Sequence, residues 1–203
     1  MKTGQAWRKG LETFIRRNAK PADKFSHQPR LYRLARQLAG AEPFDDDVLH
    51  AAAWLHDLGV FIGHRPEEPQ ELSRWNNVRY AMEKAPGILL TTGFPAAKID
   101  AVVEIIRTHQ PSEQPETFEG ILLRDADILE QLGAVGILRT VSKVGRDTRF
   151  QQSGDALRIL ERNLDVLPGM LRLEASRKLA KARLKILRDF LEAAVSEANG
   201  GDW

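Results

Sequence analysis

The sequence predicts an all-α fold, a single-domain helical bundle, on three observations. Ala, Leu, Arg, Glu and Gln are abundant. Apolar residues recur at spacings of three and four, and no convincing segment alternates with the period of two that a half-buried strand requires. At 203 residues the chain can bury one substantial core but is short for two.

The periodicity places the first two helices over 4–19 and 27–39. A third, over 45–58, starts at Asp45-Asp46-Asp47, where acids favour a helix N-terminus. It carries the apolar series Val48, Ala52 and Leu55 and stops at Gly59, so that His56-Asp57 falls in its last turn. An irregular stretch from Val60 to Pro69 follows, with His64, Arg65 and two prolines; such a loop beside a site is a natural wall or lid. The next helix spans 70–85. Gly93-Phe94-Pro95 separates it from one over 95–109, whose stripe Ile99, Val102, Val103, Ile106 leads to His109. Pro111–Pro115 breaks that helix. Further helices span 117–131, 133–144 and 152–165, and the last, over 170–198, has the apolar row Ala180, Leu184, Leu187, Leu191, Ala194 beside the basic stripe Arg177, Lys181, Lys185, Arg188.

Composition excludes several classes. Without cysteine there are no disulfides, thiolate zinc sites or cysteine nucleophile, and any metal must be held by nitrogen and oxygen. The first residues lack the apolar core of a secretory signal and no run of eighteen apolar residues occurs, so the expectation is a soluble cytoplasmic protein with no membrane partner. The pI of about 9.0 reflects a formal charge of only +2. Seven Lys/Arg against two acids lie in residues 1–24, and seven against one in 172–188. The stripe on the last helix is open to two readings, a solvated flank or an attraction for a phosphorylated ligand. Charge alone, without a recognised motif, is a poor argument for nucleic acid. Trp7, Trp54, Trp75 and Trp203 form no spaced stacking platform, and Trp54 reads as core.

Four residues carry chemistry: His27, His56, Asp57 and Asp127, each at or near the end of an apolar-periodic segment. Imidazole and carboxylate are ligands for a divalent cation. Adjacent helix residues diverge by about 100°, yet an ion off the edge between His56 and Asp57 is within reach of both. His27 and Asp127 would join from other helices, as metal centres in bundles are commonly built. Two imidazoles and two carboxylates suit Mn²⁺, Fe²⁺, Co²⁺, Ni²⁺ or Zn²⁺ better than Ca²⁺, with Mg²⁺ also among the ions to be tested. A buried Asp127 on an otherwise apolar face would be costly without a partner.

The ordered set His27-Gln-Pro-Arg30-Leu31, Ala51-Ala-Ala-Trp-Leu-His56-Asp57-Leu-Gly59 and Asp125-Ala-Asp127-Ile-Leu129 resembles the HD-domain superfamily of metal-dependent phosphohydrolases. Ile106-Arg-Thr-His109 and Glu119–Asp127 running into Leu132–Arg139 extend the likeness toward a small stand-alone subgroup of predicted hydrolases. The resemblance covers about residues 20–145, leaving helices over about 150–198 to pack on that core. It implies a divalent metal cofactor held by His27, His56, Asp57 and Asp127, with a nucleotide or other small phosphorylated metabolite as substrate.

Asp57 and His109 are the candidate catalytic residues. For His109 the roles open are phosphate contact, proton transfer, a second metal or a purely structural histidine. Arg30, on the same helix face as His27, would hold a substrate phosphate or pair with Asp57 or Asp125. His64 is a candidate substrate contact and His50 a packing or surface residue, while Asp125, facing elsewhere than Asp127, reads as a supporting or structural acid. Two departures stand out. Members often carry a polar residue soon after the His-Asp pair, where this chain has Leu58-Gly59-Val60-Phe61, and another acid after the second aspartate, where it has Ile128-Leu129-Glu130. The alternative to a hydrolase is therefore a catalytically silent metal-binding scaffold that acts as a ligand sensor or interaction module. The number of copies is left open, a homodimer included.

Overall fold

The computed structural model describes residues 3–199 and 201, which leaves Trp203 outside. Its helices are α1 (Thr3–Asn18), α2 (His27–Ala39), α3 (Asp46–Leu55), α4 (Pro69–Ser73), α5 (Asn77–Thr92), α6 (Ile99–Thr108), α7 (Phe118–Glu130), α8 (Gly133–Val141), α9 (Ser153–Val166) and α10 (Glu174–Glu197). Short 3-10 turns occupy Ala22–Ser26, Leu58–Val60, Ala96–Lys98 and Leu167–Met170. The fold is all-α, with no strand among the described residues apart from an isolated bridge between Ile62 and Arg65. No helix among them is long and apolar enough to cross a membrane. Two compact units divide the chain within α7, Met1–Arg124 and Asp125–Trp203.

In the first unit α3 is the central helix. Every residue from Val48 to Leu55 is buried, and α1, α2 and α6 all pack on it. A largely apolar helix buried on every face can only be satisfied this way, and Ala51-Ala52-Ala53 lets the neighbours approach closely. Its start is set by Asp45, whose side chain accepts from the backbone N–H groups of Asp47 (3.1 Å) and Val48 (3.2 Å). Arg8 of α1 clamps that start through Asp46 (2.9 Å) and Asp47 (2.6 Å), and Lys98 binds Asp45 (2.8 Å).

The helix predicted over 70–85 is two helices. Asn76 caps α5 by accepting from the Arg79 N–H at 2.8 Å, which separates it from α4. The buried residues Ala81, Ala85 and Leu89 then continue along one face past Pro86, to a left-handed Gly93. An interior proline costs about 3 kcal/mol. Burial of a continuous stripe offsets that, so the helix runs seven residues beyond its predicted end at 85.

In the second unit α8, α9 and α10 pack on one another pairwise. Ala180, Leu187 and Leu191 of the predicted α10 row are buried. The adjoining stripe is solvated: Lys185 pairs with Asp189 at 2.6 Å, and Arg177 turns back to the carbonyls of Leu171 and Arg172. Asp125, fully buried, accepts from the backbone N–H groups of Arg172 (3.0 Å) and Leu173 (2.8 Å). Its carboxylate thus caps the start of α10, where the helix dipole favours negative charge. Asp125 is a structural acid.

Candidate metal centre

The three residues that the structure brings together come from two helix ends of the first unit. His56 is the residue at which α3 stops, and its own N–H still bonds to the Ala52 carbonyl. Its Nδ1 lies 3.0 Å from the Ala53 carbonyl oxygen. A carbonyl only accepts, so Nδ1 carries the hydrogen and Nε2 keeps its lone pair for a ligand. Asp57 follows in non-helical backbone (φ −98°, ψ 13°), before the Leu58–Val60 turn. That break swings its carboxylate to the side of the helix end where His56 Nε2 sits. His27 opens α2, where Pro29 is tolerated because first-turn N–H groups have no helical acceptor.

His27 Nε2 and His56 Nε2 are 3.3 Å apart, and Asp57 Oδ2 lies 3.7 Å and 3.6 Å from them. Both imidazoles are buried and the carboxylate is partly exposed, so the group has a dry side and an open side. The donors fit a divalent ion. Ligands at about 2.1 Å from a metal are separated by roughly 3.0 Å in an octahedral arrangement and roughly 3.4 Å in a tetrahedral one. All three donor atoms lie within 4.8 Å of one another.

His109 stands beside this group. It ends α6, is buried, and its ring lies 5.0 Å from that of His56. Nδ1 is held 2.6 Å from the Ile106 carbonyl, so Nε2 again carries the lone pair. The next loop is anchored by Arg124, a fully buried side chain whose Nη2 donates to the Pro111 carbonyl at 2.6 Å. Arg30 is half-buried on α2 and donates to Ser26 Oγ at 2.9 Å.

Asp127 belongs to the second unit, where it is half-buried and accepts from Gln131 Nε2 at 3.3 Å. Two positions along a helix turn a side chain by about 200°, so Asp127 leaves the face that Asp125 presents to α10.

His64 is occupied. Its Nδ1 lies 3.0 Å from the Tyr80 hydroxyl and its Nε2 2.9 Å from Asn18 Oδ1. Burial pushes its pKa down. His50 is a packing residue, buried among Trp7, Tyr32 and Trp54.

The nonpolar run after the His-Asp pair has a structural reason. Leu58, Gly59 and Phe61 are buried where this turn meets the start of α5. A Cβ on Gly59 would stand 2.5 Å from the Asn77 carbonyl oxygen and 2.7 Å from its Cα. The glycine read as a helix stop is thus needed for close backbone approach. Trp75 Nε1 donates to the Gly59 carbonyl at 2.8 Å. Sequence reasoning missed Trp75, Tyr80 and Arg124, for which no local pattern signals a role.

Fold and site together define an all-helical protein with a histidine–aspartate group at helix ends suited to a divalent ion. A family model for the HD domain matches residues 25–132, and the chain belongs to that family. Its fold is shared by YpgQ of Bacillus subtilis, at 22% identity and a TM-score of 0.75, over 98% of this chain and 100% of that one. The same protein in complex with ADP aligns at a TM-score of 0.74 and 22% identity, covering 98% of each chain. An HD-superfamily hydrolase from Bacillus thuringiensis aligns at 23% identity and a TM-score of 0.69, over 97% and 99% of the two chains. No curated protein sequence matches significantly.

Proposed function

We propose that this protein is a metal-dependent phosphohydrolase acting on a nucleotide or another small phosphorylated metabolite. The observation that carries the reading is the convergence of His27 Nε2, His56 Nε2 and Asp57 Oδ2 with one open side. Membership of the HD family supports the reaction class, and ADP in the complex of the fold neighbour YpgQ supports a phosphorylated ligand. Asp127 is proposed as a further ligand on the strength of its place in the ordered motif.

A bound divalent ion supplies Lewis acidity toward a phosphoryl oxygen and toward water. The chain's own residues do the rest. The Ala53 carbonyl holds His56 in the tautomer that ligates, and Asp57 offsets positive charge. His109, with its proton on Nδ1, accepts or returns a proton at Nε2. Arg30 supplies a cation for substrate phosphate next to the His27 arm.

A panel of nucleotides and phosphate esters with Mn²⁺, Co²⁺, Ni²⁺ or Mg²⁺ tests the reading. Hydrolysis lost in Asp57→Ala supports it; no hydrolysis above that variant with any metal refutes it. The core-packed run Leu58–Phe61, where relatives often place polar groups, favours one second reading, a silent ligand sensor. A nucleotide that raises the melting temperature without being turned over would select it.

A further inference from the structure

The two arms of the metal group are stitched together away from the ligands themselves. On one side, the segment after Asp57 runs through Gly59 and Phe61 to His64. On the other, Asn18 ends α1, and Lys20 just beyond it leads through the Ala22–Ser26 turn to His27. Two bonds join these segments: the Ile62 N–H donates to the Lys20 carbonyl at 3.1 Å, and His64 Nε2 meets Asn18 Oδ1 at 2.9 Å. Asn18 is itself held by its Nδ2, which donates to the Phe14 carbonyl at 2.8 Å.

A third anchor comes from α5. The Tyr80 hydroxyl lies 3.0 Å from His64 Nδ1, and the Tyr80 ring packs on Trp75 at 5.2 Å. Trp75 in turn donates to the Gly59 carbonyl, two residues from Asp57. Because the Asn18 oxygen only accepts, Nε2 of His64 carries the hydrogen, and Nδ1 accepts from the Tyr80 O–H. One neutral imidazole therefore satisfies both neighbours, and α1, α5 and the loop that carries His64 meet at a single ring.

We infer that His64 is a positioning residue, which with Tyr80 and Asn18 sets the separation of the His27 arm from the His56-Asp57 arm and so tunes the affinity of the site for its ion. This rests on the metal-centre reading above. Groups hydrogen-bonded to metal ligands typically change affinity 10- to 100-fold when removed, and His64, which reaches the ligands through Asn18, Tyr80 and the intervening backbone, belongs at the lower end of that range.

The test is Co²⁺ titration, followed by the visible spectrum, of wild type, His64→Phe and the milder Tyr80→Phe, with melting temperatures of the metal-free proteins and imidazole ¹⁵N spectra alongside. The expected result is Co²⁺ affinity about tenfold weaker in His64→Phe, a smaller loss in Tyr80→Phe, and an altered Co²⁺ spectrum. Folded variants that keep wild-type affinity and spectrum while melting earlier would overturn the inference, since that is what a merely structural tie produces. If His64→Phe does not fold, Tyr80→Phe alone decides by the same two criteria. Wild type that takes up no Co²⁺ would overturn the metal reading. The positioning role is then decided on metal-free protein: shifted His27 and His56 imidazole signals in Tyr80→Phe support it, unmoved signals refute it.

Discussion

Acidification from pH 7 to pH 5 should weaken this fold through His50, a residue with no part in the metal group. Its ring is enclosed by Trp7 at 5.4 Å, Tyr32 at 4.8 Å and Trp54 at 5.7 Å. Burial, with the nearby Arg8 charge, pushes its pKa from 6.5 to about 4, a depression that outweighs the opposing pull of Asp46 and Asp47 and the Glu12 carboxylate 3.4 Å from Nε2. The folded state therefore prefers the neutral ring, while the unfolded chain protonates near 6.5. The stability this confers is present above the unfolded value and is lost as the pH falls from 6.5 toward 4. A shift of this size corresponds to about 3 kcal/mol in full, of which about 2 kcal/mol is lost between pH 7 and pH 5. Urea unfolding at both pH values, with chelator present, measures it against His50→Leu, which cannot titrate. Other histidines and the carboxylates contribute equally to both proteins, so the difference isolates His50. Wild type should lose about 2 kcal/mol more than the variant over this interval. Equal losses in the two proteins would refute the reasoning.

Gly59→Ala drives a methyl group into the Asn77 backbone, so it should destabilise by about 1–3 kcal/mol in urea unfolding and weaken Co²⁺ binding, because the turn after Asp57 must move. Asp125→Asn removes the charge from a buried acceptor of backbone N–H groups at the start of α10, and should cost about 1–3 kcal/mol by the same assay with metal binding retained. Below pH 4 the start of α3 should loosen. Burial raises the pKa of Asp45 and of Asp46, but this is outweighed by Lys98 at Asp45 and by Tyr32 and Arg8 at Asp46, so both carboxyls lie below 3.8. Their contribution is present above that value and lost as the pH falls through the folded pKa values, and Arg8→Met should flatten this acid limb in circular-dichroism titrations. Chelation should lower the melting temperature of metal-loaded wild type but leave that of Asp57→Ala unchanged.

Helical content and most helix positions follow from the chain alone, because apolar spacing and local caps act over a few residues. The three aspartates at the start of α3, the Gly93-Phe94-Pro95 break and the α10 row are read correctly for that reason. The ligand types and the helix end carrying His56-Asp57 are equally local. Where the reading fell short, the cause is non-local. The helix placed over 70–85 runs on through Pro86 because the stripe Ala81, Ala85, Leu89 is buried, and it begins only after the cap at Asn76. The nonpolar run Leu58–Phe61 finds its reason only in the packing of that turn against the start of α5.

Alone, then, the sequence determined an all-helical chain of the HD family with imidazole and carboxylate donors at named positions. Tertiary structure decided which of them meet: His27, His56 and Asp57 within one group, His109 beside it, His64 engaged by Asn18 and Tyr80, Asp125 given to α10. The physical reason is range. Periodicity and capping are written in neighbouring residues, whereas the company a side chain keeps depends on elements tens of positions away that only packing brings together.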